Sequence, residues 1–146
     1  MKVLVLNGPN LGTLGHREPD VYGTRTLADL EAMLSARARE LGVELRCLQS
    51  NHEGQLIDAI ERDGAASDAI IINPGALSHY SLALADALRG SGRPVVEVHI
   101  SNVFAREAER QRMVTAAAAK AVISGLGFEG YLAALDVLCG QQRGRR

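Results

Sequence analysis

Long apolar runs, paired cysteines and an excess of charge of either sign are all missing from this 146-residue chain. Its longest apolar stretches fall far short of the roughly 18 residues that a membrane-spanning helix requires, so no membrane association is expected. The chain opens Met1, Lys2 and runs straight into strand-like residues without the layout of a signal peptide, which leads us to expect a cytoplasmic protein. Cys47 and Cys139 stand in no CxxC spacing, which suggests neither a disulfide framework nor a zinc ribbon; buried, inert thiols are expected. A formal net charge of −1 argues against nucleic acid as the main partner, and the basic tail from about residue 141 to residue 146 is expected to fray. Internal repeats and low-complexity linkers are absent too. What is present is 47% hydrophobic residues, enough for one packed domain spanning 1–146.

Apolar runs and helical periodicity alternate along that domain. Residues 1–6 read as a parallel strand buried on both faces. The next stretch, 7–23 (NGPNLGTLGHREPDVYG), is far longer than the usual strand-to-helix connection of roughly 2–6 residues. Its glycines supply hinges and Pro9 and Pro19 stiffen it, so a catalytic lid is expected. Helical spacing covers 26–42, ending at Gly42, and a strand covers 43–48. Ser50 and Glu53 have the spacing of a capping box before a second helix. An apolar strand at 68–72 ends in Asn73, Pro74 and Gly75, with Ser78 as the expected cap of the helix that runs to 90. A fourth strand covers 94–100, with Glu97 and His99 interrupting it. A helical turn at 105–111, a short strand within 116–124 and a helix over 127–139 complete the pattern.

Five strands alternating with helices imply a flavodoxin-like doubly wound α/β fold, with a five-stranded parallel sheet in the order 2-1-3-4-5. In such sheets ligands sit beyond the carboxyl ends of the strands, where the order reverses, here between strands one and three. The loops at that edge, 7–23, 73–79 and 97–110, hold most of the unusual polar residues. Topology and composition therefore point to one site.

The segments LNGPNL, LGHREPDVYG, QSNHEG, INPGALSHYS and VEVHISN, in order and in register over nearly the whole chain, resemble the type II 3-dehydroquinate dehydratases. The resemblance implies dehydration of 3-dehydroquinate to 3-dehydroshikimate through an enolate in the shikimate pathway, with quinate catabolism as the alternative. It also implies a homododecamer built as a tetramer of trimers, and no cofactor. Dehydrating a β-hydroxy ketone needs a base for the α-proton, stabilisation of the enolate and an acid for the departing hydroxyl. Tyr22 matches the family's base. A phenol ordinarily ionises near pH ~10, so it serves only if cations stabilise its phenolate, and Arg17 and Arg106 are available. One guanidinium at ~4 Å and an effective dielectric near ~20 contributes about 4 kcal/mol before desolvation opposes it, which is sufficient.

His99 matches the general acid, and Glu97, two residues earlier on the same side of its strand, can orient the imidazole. A lone strand histidine is more often structural, but two polar groups on one side of a buried strand are costly without a purpose. Metal binding by this pair is the rival reading, yet no third ligand stands at convincing spacing. The resemblance assigns Arg17 to the transition state, Asn10 to the enolate, and Asn73, His79 and Arg110 to the substrate's hydroxyl groups. Ile100 and Ser101 bind the substrate carboxylate through backbone N–H groups. Asp86 matches a residue that reaches a neighbouring subunit's site, and Glu18 is read as holding Arg17.

Lys2 and Lys120, the only lysines, lie outside the three loops, which argues against a Schiff base and separates this chain from the lysine-dependent type I dehydratases. Residues 125–130 (GLGFEG) satisfy GxGxxG, but only sixteen residues follow, too few for a ribose-binding carboxylate; close packing of helix on sheet is the expected use. Departures from the family pattern fall at Gly12, at Phe104 and over residues 111–113. They leave Arg110 in register and bear on affinity and lid behaviour rather than on the reaction.

Overall fold

The computed structural model describes residues 1–144, without the side chains of 141–143. Strands β1 (Lys2–Asn7), β2 (Glu44–Gln49), β3 (Ala69–Asn73), β4 (Val95–His99) and β5 (Ala121–Ser124) form one parallel sheet in the order β2-β1-β3-β4-β5. The expected strand order and flavodoxin-like winding are therefore observed. Every position of β3 and β4 is buried, because helices cover both faces of the sheet.

Alternation along the central strands sorts their side chains into two cores. Val3, Val5, Ile71 and Val98 pack with Leu30 and Leu34 of α2 (Leu27–Leu41) and with Tyr131 and Leu135 of α5 (Glu129–Arg143). On the other face Leu4, Leu6, Ile70 and Ile72 pack with Leu56 of α3 (Glu53–Ala59) and with Leu84 and Leu88 of α4 (Leu82–Gly90). The helix termini explain the boundaries. Thr26 and Asp29 form a reciprocal capping box at the start of α2, and Gly42 ends it in the left-handed conformation at φ 69°.

Two expected caps differ from the structure. Ser50 does not cap α3: its Oγ accepts from His52 N at 2.9 Å and donates to Gln55 at 2.5 Å, while His52 occupies the cap position. Ser78 does not cap α4 either, because residues Gly75–His79 form a separate 3-10 turn and Ser81 takes the cap, accepting from Leu84 N. The GxGxxG stretch packs helix on sheet as expected: a Cβ at Gly130 would meet Ile123 at 3.2 Å and Val98 at 3.3 Å. Helix α5 runs on to Arg143, and the end of the tail, residues 145–146, lies outside the described residues. Among the described residues no helix is long and apolar enough to cross a membrane.

The sheet edge that carries the polar loops is held by a close backbone approach. Gly8 N donates to Asn73 O at 2.8 Å, and a Cβ on Gly8 would lie 2.4 Å from the Pro74 carbonyl oxygen. Neither backbone can yield without separating the ends of β1 and β3. Gly8→Ala is therefore expected to destabilise the fold by about 1–3 kcal/mol, read as a lower denaturation midpoint, and to weaken ligand binding as well. An unchanged midpoint would show that the two loops part freely.

Candidate active site

Residues 7–23 are less open than a lid of that length suggests. Leu11 and Leu14 are buried in the α2–α5 core, so the first half of the loop is pinned, with a 3-10 turn at Leu11–Thr13. The second half contains α1 (Pro19–Tyr22), a single helical turn lying between two glycines with positive φ, Gly15 at 90° and Gly23 at 77°. Of the two, Gly15 is packed, since a Cβ there would meet Thr24 O at 2.8 Å, whereas Gly23 has open space around it and marks where the segment can pivot. Asn10 and Glu18 hold positive φ without being glycine, at 68° and 35°, the kind of strain that concentrates at binding sites. Asn10 is tied down by its N–H, which donates to Asn51 Oδ1 at 2.9 Å.

Tyr22 meets two cations. Arg106 donates to its hydroxyl at 2.5 Å, and the Arg17 guanidinium lies 4.7 Å from its ring centroid. Arg106 comes from the loop after β4, so two loops distant in sequence converge on one phenol. The other tyrosines have different surroundings: Tyr80 is exposed, and Tyr131 is wholly buried, which pushes its phenol well above the usual range. Glu18 lies 3.4 Å from the half-buried Arg17, and since Glu18 itself is exposed the pair contributes little.

Beneath the pocket, Glu97 and His99 share one side of β4, and His99 Nε2 is 2.7 Å from Glu97 Oε1. Glu97 has no exposed surface. Ser78 Oγ donates to the same carboxylate at 2.7 Å and Thr115 Oγ1 donates to Oε2 at 2.7 Å. Sequence reasoning missed these two hydroxyls. Ser78 was quoted in a motif but read as a helix cap, and Thr115 opens an alanine run that gives no signal of chemistry.

Asn10, Arg17, Tyr22 and Asn73 line one pocket, with His79, His99, Ile100, Ser101 and Arg110 completing its wall. It lies at the carboxyl ends of β1, β3 and β4, at the reversal of strand order. Asn73 Oδ1 accepts from Gly75 N at 3.1 Å, which orients its amide. His79 Nδ1 donates to the Arg112 carbonyl at 2.6 Å, which leaves Nε2 as the nitrogen not engaged by that carbonyl. The altered segment after β4 thus contributes through its backbone, which makes its side-chain departures tolerable at this point. Arg110 is held by Glu107 at 2.7 Å, and a hydrogen bond from the backbone N–H of Glu107, followed by Arg110 and then Arg106, keeps the Glu107 carboxyl below its usual range. The carbonyls of His99 and Ile100 accept from Gly125 N and Gly127 N, both at 3.1 Å. Since the peptide unit is planar and trans, the N–H groups of Ile100 and Ser101 point the opposite way.

The structure does not bring Asp86 to this pocket. It lies on the exposed face of α4, paired with Arg89 at 3.1 Å. Among the described residues no three His, Cys, Asp or Glu side chains are grouped to hold a metal, and Glu97 and His99 are committed to each other and to hydroxyls. Phe104 stands exposed, and a side chain at Gly12 would press on Gln49, 3.0 Å from its Oε1. Cys47 is partly buried, which pushes its thiol up to about 11, and Cys139 is buried, as inert thiols should be.

The sequence and the fold that carry this pocket have counterparts. The family model described as dehydroquinase class II matches residues 1–139. A 3-dehydroquinate dehydratase of Roseiflexus castenholzii is 54% identical over 140 residues, covering 96% of this chain and 89% of the relative. The protein of the same name from Bacillus licheniformis is 56% identical over 134 residues, covering 92% of each chain. Among solved structures, the type II dehydroquinase of Butyrivibrio crossotus superposes with a TM-score of 0.93 at 44% identity, over 94% of this chain and 97% of that one. Fold and sequence agree, and the chain belongs to the class II dehydroquinase family.

Proposed function

We propose that this chain is a 3-dehydroquinate dehydratase, a hydro-lyase that converts 3-dehydroquinate to 3-dehydroshikimate by trans-elimination of water. The observation that carries the reading is the pairing, across one pocket, of a phenol held by Arg106 with a buried imidazole held by Glu97. A binding protein needs neither a base nor an acid; an elimination needs both.

Tyr22, as phenolate, takes the proton from the carbon between the ketone and the leaving hydroxyl. The electron pair of that C–H bond moves into the ketone, giving an enolate. Arg17 and Arg106 stabilise the phenolate beforehand, and Asn10 holds the water that hydrogen-bonds to the enolate oxygen. His99, as imidazolium, then gives its proton to the hydroxyl; the enolate collapses, the C–O bond breaks and water leaves. Both groups recover their protonation through solvent. Asn73, His79 and Arg110 bind the substrate's hydroxyl groups, and the N–H groups of Ile100 and Ser101 take its carboxylate. Asp86, exposed on α4, reaches the pocket of an adjacent subunit in a homododecamer, a tetramer of trimers. The single domain 1–146 works in the cytoplasm, in the shikimate pathway, without metal or other cofactor.

Ultraviolet absorbance of the conjugated enone tests the activity directly. Purified protein mixed with 3-dehydroquinate is expected to generate the product signal at a rate unchanged by a chelator or by borohydride. Loss of the rate with chelator, restored by zinc, would favour a metal centre; borohydride inactivation would favour a Schiff base. Binding without turnover would make this a ligand-binding relative and direct attention to residues 104–113.

A further inference from the structure

We propose that Thr115, together with Ser78, is a positioning residue for His99, acting by holding Glu97 as an ionised, acceptor-only carboxylate. The proposal rests on the reading of His99 as general acid. Glu97 lies entirely below the surface, where an ionised carboxylate persists only if its oxygens are hydrogen-bonded. Three donors reach it: Ser78 and His99 share Oε1, and Thr115 takes Oε2, each at 2.7 Å.

The distances rank the acceptors. Thr115 Oγ1 and Ser78 Oγ are themselves 3.2 Å apart, longer than an ordinary O–H···O bond, whereas each lies 2.7 Å from Glu97, which makes the carboxylate the better acceptor for both hydroxyls. Each hydroxyl has one proton, and each gives it to the carboxylate. A carboxylate so held has no proton to offer, so His99 must present Nε2–H to it. Nδ1 is the nitrogen left for the pocket that His99 lines. Two hydroxyls that never touch the substrate therefore set which nitrogen the acid turns to the pocket and which tautomer remains once its proton is given up.

Their placement links the acid to the altered segment after β4. Val114 N donates to Ser78 O at 2.7 Å, and the 3-10 turn Thr115–Ala118 follows at once. Residues 112–115 thus clamp the 78–79 turn from both sides, with His79 bonded to the Arg112 carbonyl. This segment can change its exposed side chains while the Thr115 hydroxyl stays fixed under Glu97.

Thr115→Val keeps the shape and removes the donor. It is expected to lower kcat by roughly 10- to 100-fold, the factor one hydrogen bond to a charged group carries, with KM little changed. Thr115→Ser should restore most of kcat, and Ser78→Ala should reproduce the loss. In parallel, nitrogen NMR of the wild-type protein labelled at histidine should show neutral His99 protonated at Nε2. An unchanged kcat in Thr115→Val, a Thr115→Ser variant as slow as the valine one, or a His99 protonated at Nδ1 would each overturn the proposal. Should the wild type fail to turn over 3-dehydroquinate, the proposed reaction falls, while the NMR signature still decides whether the hydroxyls set the tautomer.

Discussion

Tyr22→Phe is expected to lower kcat by about 10²- to 10⁴-fold, the range that a positioned acid or base contributes, and to leave the fold intact. The substitution is selective because of what it keeps. The ring still lies under Arg17, 4.7 Å from the guanidinium carbon, so the α1 turn retains its packing. Only the oxygen that Arg106 holds at 2.5 Å is lost. Substrate affinity should change little, since the phenol is assigned to proton abstraction and not to holding the substrate. A loss of kcat and kcat/KM together, with KM nearly constant, is therefore the expected pattern. Activity within about tenfold of wild type would remove Tyr22 as base and require another group to take the proton.

His99→Gln is expected to have an effect of similar size, about 10²- to 10³-fold on kcat, for a different reason. A glutamine amide nitrogen sits near the position of the imidazole Nε2 and can still donate to Glu97, so the carboxylate keeps its three partners and the strand its packing. It cannot carry a proton to a leaving hydroxyl. The loss should shrink for a substrate analogue with fluoride in place of that hydroxyl, because a better leaving group needs less protonation. An equal loss on both substrates would mean that His99 orients the substrate and does not donate.

How legible the site was depends on the kind of residue. Tyr22, Arg17 and His99 were legible because they fall on motifs of the type II dehydratases that the chain resembles, and their setting supports this: charges and a phenol in an overlong loop, and His99 and Glu97 on one side of a buried strand. Arg106 was visible only as an available cation. Its bond to Tyr22 spans 84 positions of sequence and follows from the loops after β1 and β4 meeting over the same sheet edge. Ser78 was read as a cap because serine before a helical run usually caps it. The chain inserts a 3-10 turn there, which moves the cap to Ser81 and frees Ser78 for Glu97.

The sequence by itself determined the alternation of strands and helices, the order of the sheet and the edge at which the polar loops gather. Those follow from periodicity, from loop length and from the rule that a doubly wound sheet binds ligands where its order reverses. Only the tertiary structure decided which parts of the long loop are pinned, which arginine meets the phenol's oxygen, and that two hydroxyls hold Glu97. These are contacts between residues far apart in the chain, set by which side chains the closed sheet presses together, and local patterns of residue type carry no record of them.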